Sequence, residues 1–74
     1  MIKAMKRTFN AVVKQDGGWW IGWVEEIPGV NCQGKTRREL LKNLRSALKE
    51  ALQFNREEAR AAASSDYEEE AILV

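Results

Sequence analysis

Residues 16–34 of this chain read DGGWWIGWVEEIPGVNCQG, and this stretch decides the fold. It begins with Asp16-Gly17, a dipeptide typical of a type I′ hairpin turn, whose two central residues both need positive φ. An apolar run follows, and Pro28-Gly29 then breaks it. The stretch therefore predicts a hairpin followed by a turn and a third short strand.

Working outward, the pattern places strands at residues 7–15, 18–26 and 30–33, and Gly34 closes the third. Side chains alternate between the two faces of a strand. In the first strand, the core face is predicted to carry Phe9, Ala11 and Val13.

Both faces of the second strand carry large apolar side chains, which indicates that both are at least partly covered. Trp19, Ile21 and Trp23 share one face, and Trp20, Gly22 and Val24 share the other. We expect Trp19 and Trp23 to pack beneath a helix. Trp20 is then expected on the opposite face or at an oligomer contact.

A helix is predicted after Thr36, because Thr36 and Glu39 have the spacing of a capping box. In that motif the Glu39 carboxylate reaches back to the N–H of Thr36. The helix is expected to run to about residue 60, with residues 61–63 able to prolong it and Ser64-Ser65-Asp66 ending it. Its apolar stripe is formed by Leu40, Leu44, Ala47, Ala51 and Phe54, widened by Leu41, Leu48 and Leu52.

Residues 71–74 read AILV and predict a final strand, which gives the order β-β-β-α-β. This is an α+β fold in a single domain over residues 1–74: an antiparallel meander with one long helix packed on one face. A right-handed crossover through the helix favours parallel pairing of the last strand with the first.

Composition excludes several classes of protein. The chain has no histidine and one cysteine, Cys32, so we expect no intrachain disulfide, no zinc site and no cofactor. Without histidine, nucleophiles activated by that residue are ruled out, and no strand carries the acidic cluster of a two-metal nuclease, so we expect no enzyme and no catalytic residue. Cys32 itself is expected to be a small buried filler.

Charge and hydropathy set the expected surroundings of the chain. Twelve basic residues nearly balance eleven acidic ones, unlike a free-standing nucleic-acid-binding protein. No apolar run is long enough to cross a bilayer, and a free cysteine agrees with a reducing cytoplasm. A core this small, without disulfide or metal, predicts self-association.

Three motifs in order resemble the HicB-like antitoxin family, one half of bacterial toxin–antitoxin pairs. The first is the hairpin with its aromatic residue, residues 16–19, and the second is the loop IPGVNCQG, residues 27–34. The third is the helix start at residues 36–39, with Asn43 and Ala47. The resemblance covers residues 9–52.

This resemblance implies a truncated ribonuclease H-like fold and inhibition of a small ribonuclease toxin of the HicA type by protein–protein contact. Many members append a DNA-binding module, and we expect no DNA binding by this chain alone. The expected toxin-facing segment is acidic because a toxin surface that binds RNA should be basic. It comprises Asp66, Tyr67, Glu68, Glu69 and Glu70.

The expected homo-oligomer contact draws on two parts of the chain. It comprises Trp20, Val24, Ile72, Leu73 and Val74. One alternative is an orphan homo-oligomeric domain without a toxin. Another is a weak RNA-binding module that stacks bases on the Trp-bearing sheet. The basic run at residues 35–45 is either a solvated helix face or a contact for phosphate or RNA.

Overall fold

The computed structural model describes residues 8–73. Three antiparallel strands, β1 (Ala11–Asp16), β2 (Trp19–Val24) and β3 (Asn31–Gly34), form a sheet in the order β1-β2-β3. One helix, α1 (Arg37–Ala63), follows and packs over β2 and β3. The α+β fold and the order β-β-β-α are therefore as predicted.

The predicted final strand is wrong for residues 71–73, which have no strand structure, and Val74 lies outside the described residues. The reason is distance. From Leu44, which packs on the sheet, to the helix end at Ala63 the axis rises about 29 Å. Three extended residues span only about 11 Å, so residues 71–73 cannot return to their own sheet while the preceding segment stays against the helix end.

The hairpin turn lies one residue later than predicted. Asp16 pairs with Trp19, so Gly17 and Gly18 are the central residues of a two-residue loop. Gly17 has φ 64°, and Gly18 is not among the residues with positive φ. This is the type II′ pattern, which needs glycine at the first central position.

β1 begins at Ala11, later than expected, and the predicted start, Arg7, lies outside the described residues. Pairing with the chain after β2 nevertheless continues before the strand. The Glu25 N–H donates to the Asn10 carbonyl at 2.8 Å, and the Glu26 carboxylate accepts from the Asn10 N–H at 2.9 Å and from its amide Nδ2 at 2.8 Å. These bonds hold the open end of the hairpin together.

The break at Pro28-Gly29 is confirmed as a turn. The Val30 N–H donates to the Ile27 carbonyl at 3.4 Å, and Gly29 has φ 90°. Proline followed by a positive-φ glycine is the type II arrangement. The turn directs Val30 back toward β2, where its carbonyl accepts from the Val24 N–H at 3.0 Å.

Both predicted ends of the helix are confirmed. The Glu39 N–H donates to the Thr36 hydroxyl at 3.0 Å, while the Glu39 carboxylate accepts from the N–H of Lys35, at 2.6 Å, rather than from that of Thr36. The helix ends at Ala63. The Ser64 N–H donates to the Arg60 carbonyl at 3.1 Å, and Ser64 adopts φ 71°.

The core lies between the first half of α1 and the sheet. Its buried members are Val24, Val30, Leu40 and Leu44, and Leu40 is fully buried. Phe9 and Val13 pack against this cluster as predicted, whereas Ala11 is exposed.

The predicted apolar stripe continues beyond the sheet. The 27-residue helix is about 40 Å long, roughly twice the length of a six-residue strand. Phe54, on the overhanging half, is 60% exposed, and Leu41 on the flank is 37% exposed.

Candidate partner-binding surface

The side chains of β2 decide which face of the sheet the helix covers. Val24 is buried and Trp20 packs against the core cluster, whereas Trp19 is 42% and Trp23 41% exposed. The predicted assignment of faces is therefore wrong. Trp20, Gly22 and Val24 face the helix, and Trp19, Ile21 and Trp23 face away from it.

Gly22 is the physical reason. A Cβ atom at this position would lie 2.8 Å from the Val12 carbonyl oxygen and 3.1 Å from Leu40 Cδ2. Leu40 thus enters the gap that the missing side chain leaves between Trp20 and Val24. Glycine inside a strand signals such a close approach, and this signal in the sequence could have identified the covered face.

Gly34 gives the helix a second close contact with the sheet. A Cβ atom there would lie 2.7 Å from the Leu40 backbone nitrogen. Nearby, the Asn43 side-chain amide donates to the Gln33 carbonyl at 3.1 Å. Together with the cap at Thr36, these contacts fix the first turns of α1 on the sheet and leave the other face without a covering element among residues 8–73.

We call this uncovered side the open face. Its centre is the apolar row of β2, which comprises Trp19, Ile21 and Trp23. The strand register places Val12 opposite Trp23 and Lys14 opposite Ile21 on β1. Apolar and aromatic side chains surrounded by polar neighbours are the composition of a protein interface, in which tryptophan is enriched.

The β3 side of the open face contains a shallow depression of about 370 Å³. Asn31 pairs with Trp23 and Gln33 with Ile21, so amide side chains border the depression. Cys32 also lines it but is half-buried against the core cluster. Burial raises the pKa of the Cys32 thiol, which disfavours the thiolate form that a nucleophile needs.

The acidic segment, residues 66–70, lies at the other end of the molecule. It is exposed throughout, and it turns back on the last turns of the helix. Arg60 Nε donates to Glu69 Oε2 at 3.1 Å, and Arg60 Nη2 donates to Glu69 Oε1 at 3.4 Å. Tyr67, Glu68 and Glu69 border a groove of about 200 Å³ with this part of the helix.

The structure therefore separates the predicted site residues. Trp20 and Val24, expected at an oligomer contact, are covered by this chain's own helix. Ile72 and Leu73 are 83% and 81% exposed, and Val74 lies outside the described residues. Because Trp19 and Trp23 were expected beneath the helix, the open face was not predicted from the sequence.

Residues 8–73 provide neither a cluster of metal ligands nor a membrane-spanning helix. No group of three or more His, Cys, Asp or Glu side chains there is placed to hold a metal ion. Within the same range, no helix is long and apolar enough to cross a membrane.

Comparison with known proteins identifies a relative of almost the same length. A UPF0150 protein from Synechocystis sp. is 35% identical over 72 residues, covering 95% of this chain and 99% of the relative. The chain belongs to the UPF0150 family. No family model matches the sequence, and no solved structure matches it.

The similarity to the UPF0150 relative extends over nearly the whole chain rather than over one motif. The relative's name states no partner or activity. The largest apolar side chains that the sheet of this UPF0150 chain leaves exposed are Trp19 and Trp23 on the open face.

Proposed function

We propose that this UPF0150 protein is a HicB-like antitoxin, acting without catalysis by binding and inhibiting a small HicA-type ribonuclease toxin. The motifs that resemble that family lie at the structural positions where such motifs function: the hairpin turn, the Pro-Gly turn and the helix cap. The observation that carries the proposal is the open face. Two tryptophans, each about two-fifths exposed, lie there on one strand with no covering element in the described chain.

The open face is better suited to a protein than to RNA. Phosphate binding depends on cations, and Lys14 is the one cation that the three described strands contribute. Trp19, Ile21 and Trp23 instead provide an apolar centre bordered by amides. Such a centre holds a protein complex together, while charges outside it adjust the association rate.

The same face supports self-association as a second candidate. A chain this small, without disulfide or metal, gains stability from a second copy, and the exposed Ile72 and Leu73 add apolar area elsewhere. Sedimentation at tens of micromolar tests this candidate. A monomer at that concentration would remove both self-association and the orphan homo-oligomer from consideration.

The experiment for the antitoxin proposal is titration calorimetry with a small basic ribonuclease of the HicA type. Trp19→Ala and Trp23→Ala should each weaken binding by on the order of 2 kcal/mol, about thirtyfold in Kd, since buried tryptophans dominate interface energies. Phe54→Ala is the matched control, because it removes a 60% exposed aromatic from the overhanging helix.

The results separate the proposals. Loss of binding in the tryptophan variants but not in the Phe54 control supports the open face as the toxin site. Equal affinities in all variants would place the toxin elsewhere. No binding by the unaltered chain, together with a dimer in sedimentation, would favour the orphan homo-oligomer.

A further inference from the structure

The solvent side of α1 carries a row of cations that lies away from the open face. At 100° per residue, six basic side chains fall within a sector of about 60° around the helix axis. These are Arg38, Lys42, Arg45, Lys49, Arg56 and Arg60. We call this row the basic stripe. It spans about 33 Å along the axis, on the side of the helix opposite the buried Leu40 and Leu44.

The basic stripe is free of acidic residues. Its six members are exposed. Glu39, Glu50 and Glu57 fall together on one flank, about 100° from the stripe. Among residues 8–73, Arg60 is the stripe member with an ion pair, to Glu69. The other five cations are therefore available to an external anion.

The basic stripe destabilises the helix that carries it. Arg38 and Lys42, Arg45 and Lys49, and Arg56 and Arg60 are like-charge pairs at spacing i, i+4, which disfavours helix formation. A chain of 74 residues has little stability to spare. A bound polyanion would offset this repulsion by attracting the cations.

We propose that the basic stripe binds the phosphate backbone of double-stranded RNA. The sector holds no aromatic side chain to stack on unpaired bases, so single strands would gain only charge contacts there. The nearest amide on the helix, Gln53, falls about 20° outside the sector and already donates from Nε2 to the Glu57 carboxylate at 2.9 Å. The stripe is thus equipped for phosphates and not for base edges, which is sequence-independent binding.

The acidic flank of the helix favours an RNA duplex over a DNA duplex as the ligand. B-form DNA has a major groove about 12 Å wide that admits a helix, and a helix inserted there brings both flanks near phosphates. Glu39, Glu50 and Glu57 would then be repelled. The A-form major groove is deep and narrow, so its two phosphate rows lie close together. The long cationic side chains of the basic stripe can contact both phosphate rows from outside the groove. The acidic flank of the helix then points away from the RNA.

The test is fluorescence anisotropy with the full chain and a labelled RNA duplex of about 20 base pairs, longer than the roughly 16 that double-stranded RNA-binding domains span. Binding is expected to weaken with potassium chloride, with a log–log slope between about −4 and −5 for five phosphate contacts. A DNA duplex of the same sequence is expected to bind more weakly. This test does not depend on the antitoxin proposal, because no toxin is present.

Two triple variants remove the same number of positive charges from different places. The stripe variant combines Arg38→Gln, Arg45→Gln and Lys49→Gln, and the control combines Lys14→Gln, Lys35→Gln and Arg37→Gln. The stripe variant should bind at least about tenfold more weakly, with a slope shallower by about 3. The control should stay within about threefold of the unaltered chain. Circular dichroism should show at least as much helix in the stripe variant, since like-charge repulsion is removed.

Several results would overturn the proposal. Equal losses in the two triple variants would mean that net charge alone governs binding. Tighter binding to the DNA duplex, or no binding to RNA at 50 mM salt, would exclude an RNA site. Another contrary result is salt-sensitive dimerisation that the stripe variant loses while its RNA binding is unchanged. In that case the occupant is the acidic segment of a second copy.

Discussion

The two faces of β2 carry similar side chains, but one face is buried beneath the helix and the other is exposed. Each has two large apolar residues, Trp20 and Val24 on one and Trp19 and Trp23 on the other, yet the helix covers only the first. What differs is the middle residue, Gly22 on the covered face and Ile21 on the open face. A gap in the covered face receives Leu40, whereas the open face offers a continuous apolar row. Shape, rather than hydrophobicity, decides which face becomes core.

The largest expected effect comes from the residue that fills the gap. Leu40→Ala should destabilise the fold by about 2–5 kcal/mol, since it empties a fully buried position. Leu41→Ala is a matched control one residue away, where the side chain is 37% exposed, and should cost less than about 1 kcal/mol. Urea denaturation of both variants measures the difference. Equal losses would mean that α1 is not seated as described.

The next largest effect is expected at Gly22, the residue of β2 that leaves room for Leu40. Gly22→Ala should cost about 1–3 kcal/mol, because the new methyl group would meet the Val12 carbonyl and Leu40. Gly18→Ala is the control, with no atom within 4 Å of the added Cβ. Thermal unfolding compares the two variants. A neutral Gly22→Ala would show that the sheet and helix can move apart at no cost, and the comparison of faces would lose its basis.

Much of this architecture could be predicted from local sequence signals. The Pro-Gly turn, the cap at Thr36 and the helix end near Ala63 each depend on a few neighbouring residues, and each lies where expected. The hairpin was displaced by one residue because Asp16-Gly17 and Gly17-Gly18 are both good turn sequences, and only strand register separates them.

The remaining features depend on contacts between distant parts of the chain. Periodicity identified two faces of β2 but not which one the helix covers, because that choice rests on Leu40 meeting Gly22. The final strand was expected from the composition of residues 71–74, yet a strand needs an edge within reach. The length of the helix, which the sequence did predict, and the Arg60–Glu69 contact, which keeps the following segment at the helix end, together leave residues 71–73 too far from the sheet.

A smaller effect concerns the cap that seats α1 on the covered face. Thr36→Ala should cost about 0.5–2 kcal/mol through loss of the hydrogen bond from the Glu39 N–H. Thr36→Ser keeps the hydroxyl and should restore most of the stability, which separates the cap from simple loss of volume. Chemical denaturation midpoints check both variants. If Thr36→Ala is neutral, the two glycine contacts alone hold the helix start.

Acid should weaken the open end of the hairpin. Hydrogen bonds from the Asn10 backbone N–H, and then from its side-chain amide, hold the pKa of Glu26 below its ordinary value of 4.5. A lowered carboxyl pKa contributes stability that is present above 4.5 and lost as the pH falls through the lowered value. Glu26→Gln should therefore flatten the fall in stability between pH 5 and pH 3.

The control for this pH dependence is Glu25→Gln, which leaves in place the two hydrogen bonds that the Glu26 carboxylate accepts from the backbone N–H and the side-chain amide of Asn10. Denaturation midpoints across the pH range compare the variants with the unaltered chain. Identical pH profiles for the unaltered chain and Glu26→Gln would show that this pair contributes nothing to acid stability.

The smallest effect on the fold is expected at the acidic segment, which neither face of the sheet contacts. Reversing Glu68, Glu69 and Glu70 to lysine should leave stability nearly unchanged, because the segment is exposed and the ion pair that is lost among residues 8–73, Arg60–Glu69, is a surface pair. Charges outside an apolar interface mainly set the association rate. The triple reversal should therefore slow binding to a basic toxin by roughly tenfold at low salt and weaken the salt dependence of the rate.

Stopped-flow measurements at two salt concentrations test this prediction, with Trp23→Ala as the comparison. If the open face holds the complex and the acidic segment steers it, Trp23→Ala should raise the dissociation rate and leave association almost unchanged. The charge reversal should do the opposite. Should the reversal leave the association rate intact, steering by residues 66–70 is excluded. A charge reversal that instead speeds dissociation would place the acidic segment inside the interface, and the two ends of the molecule would have to act together.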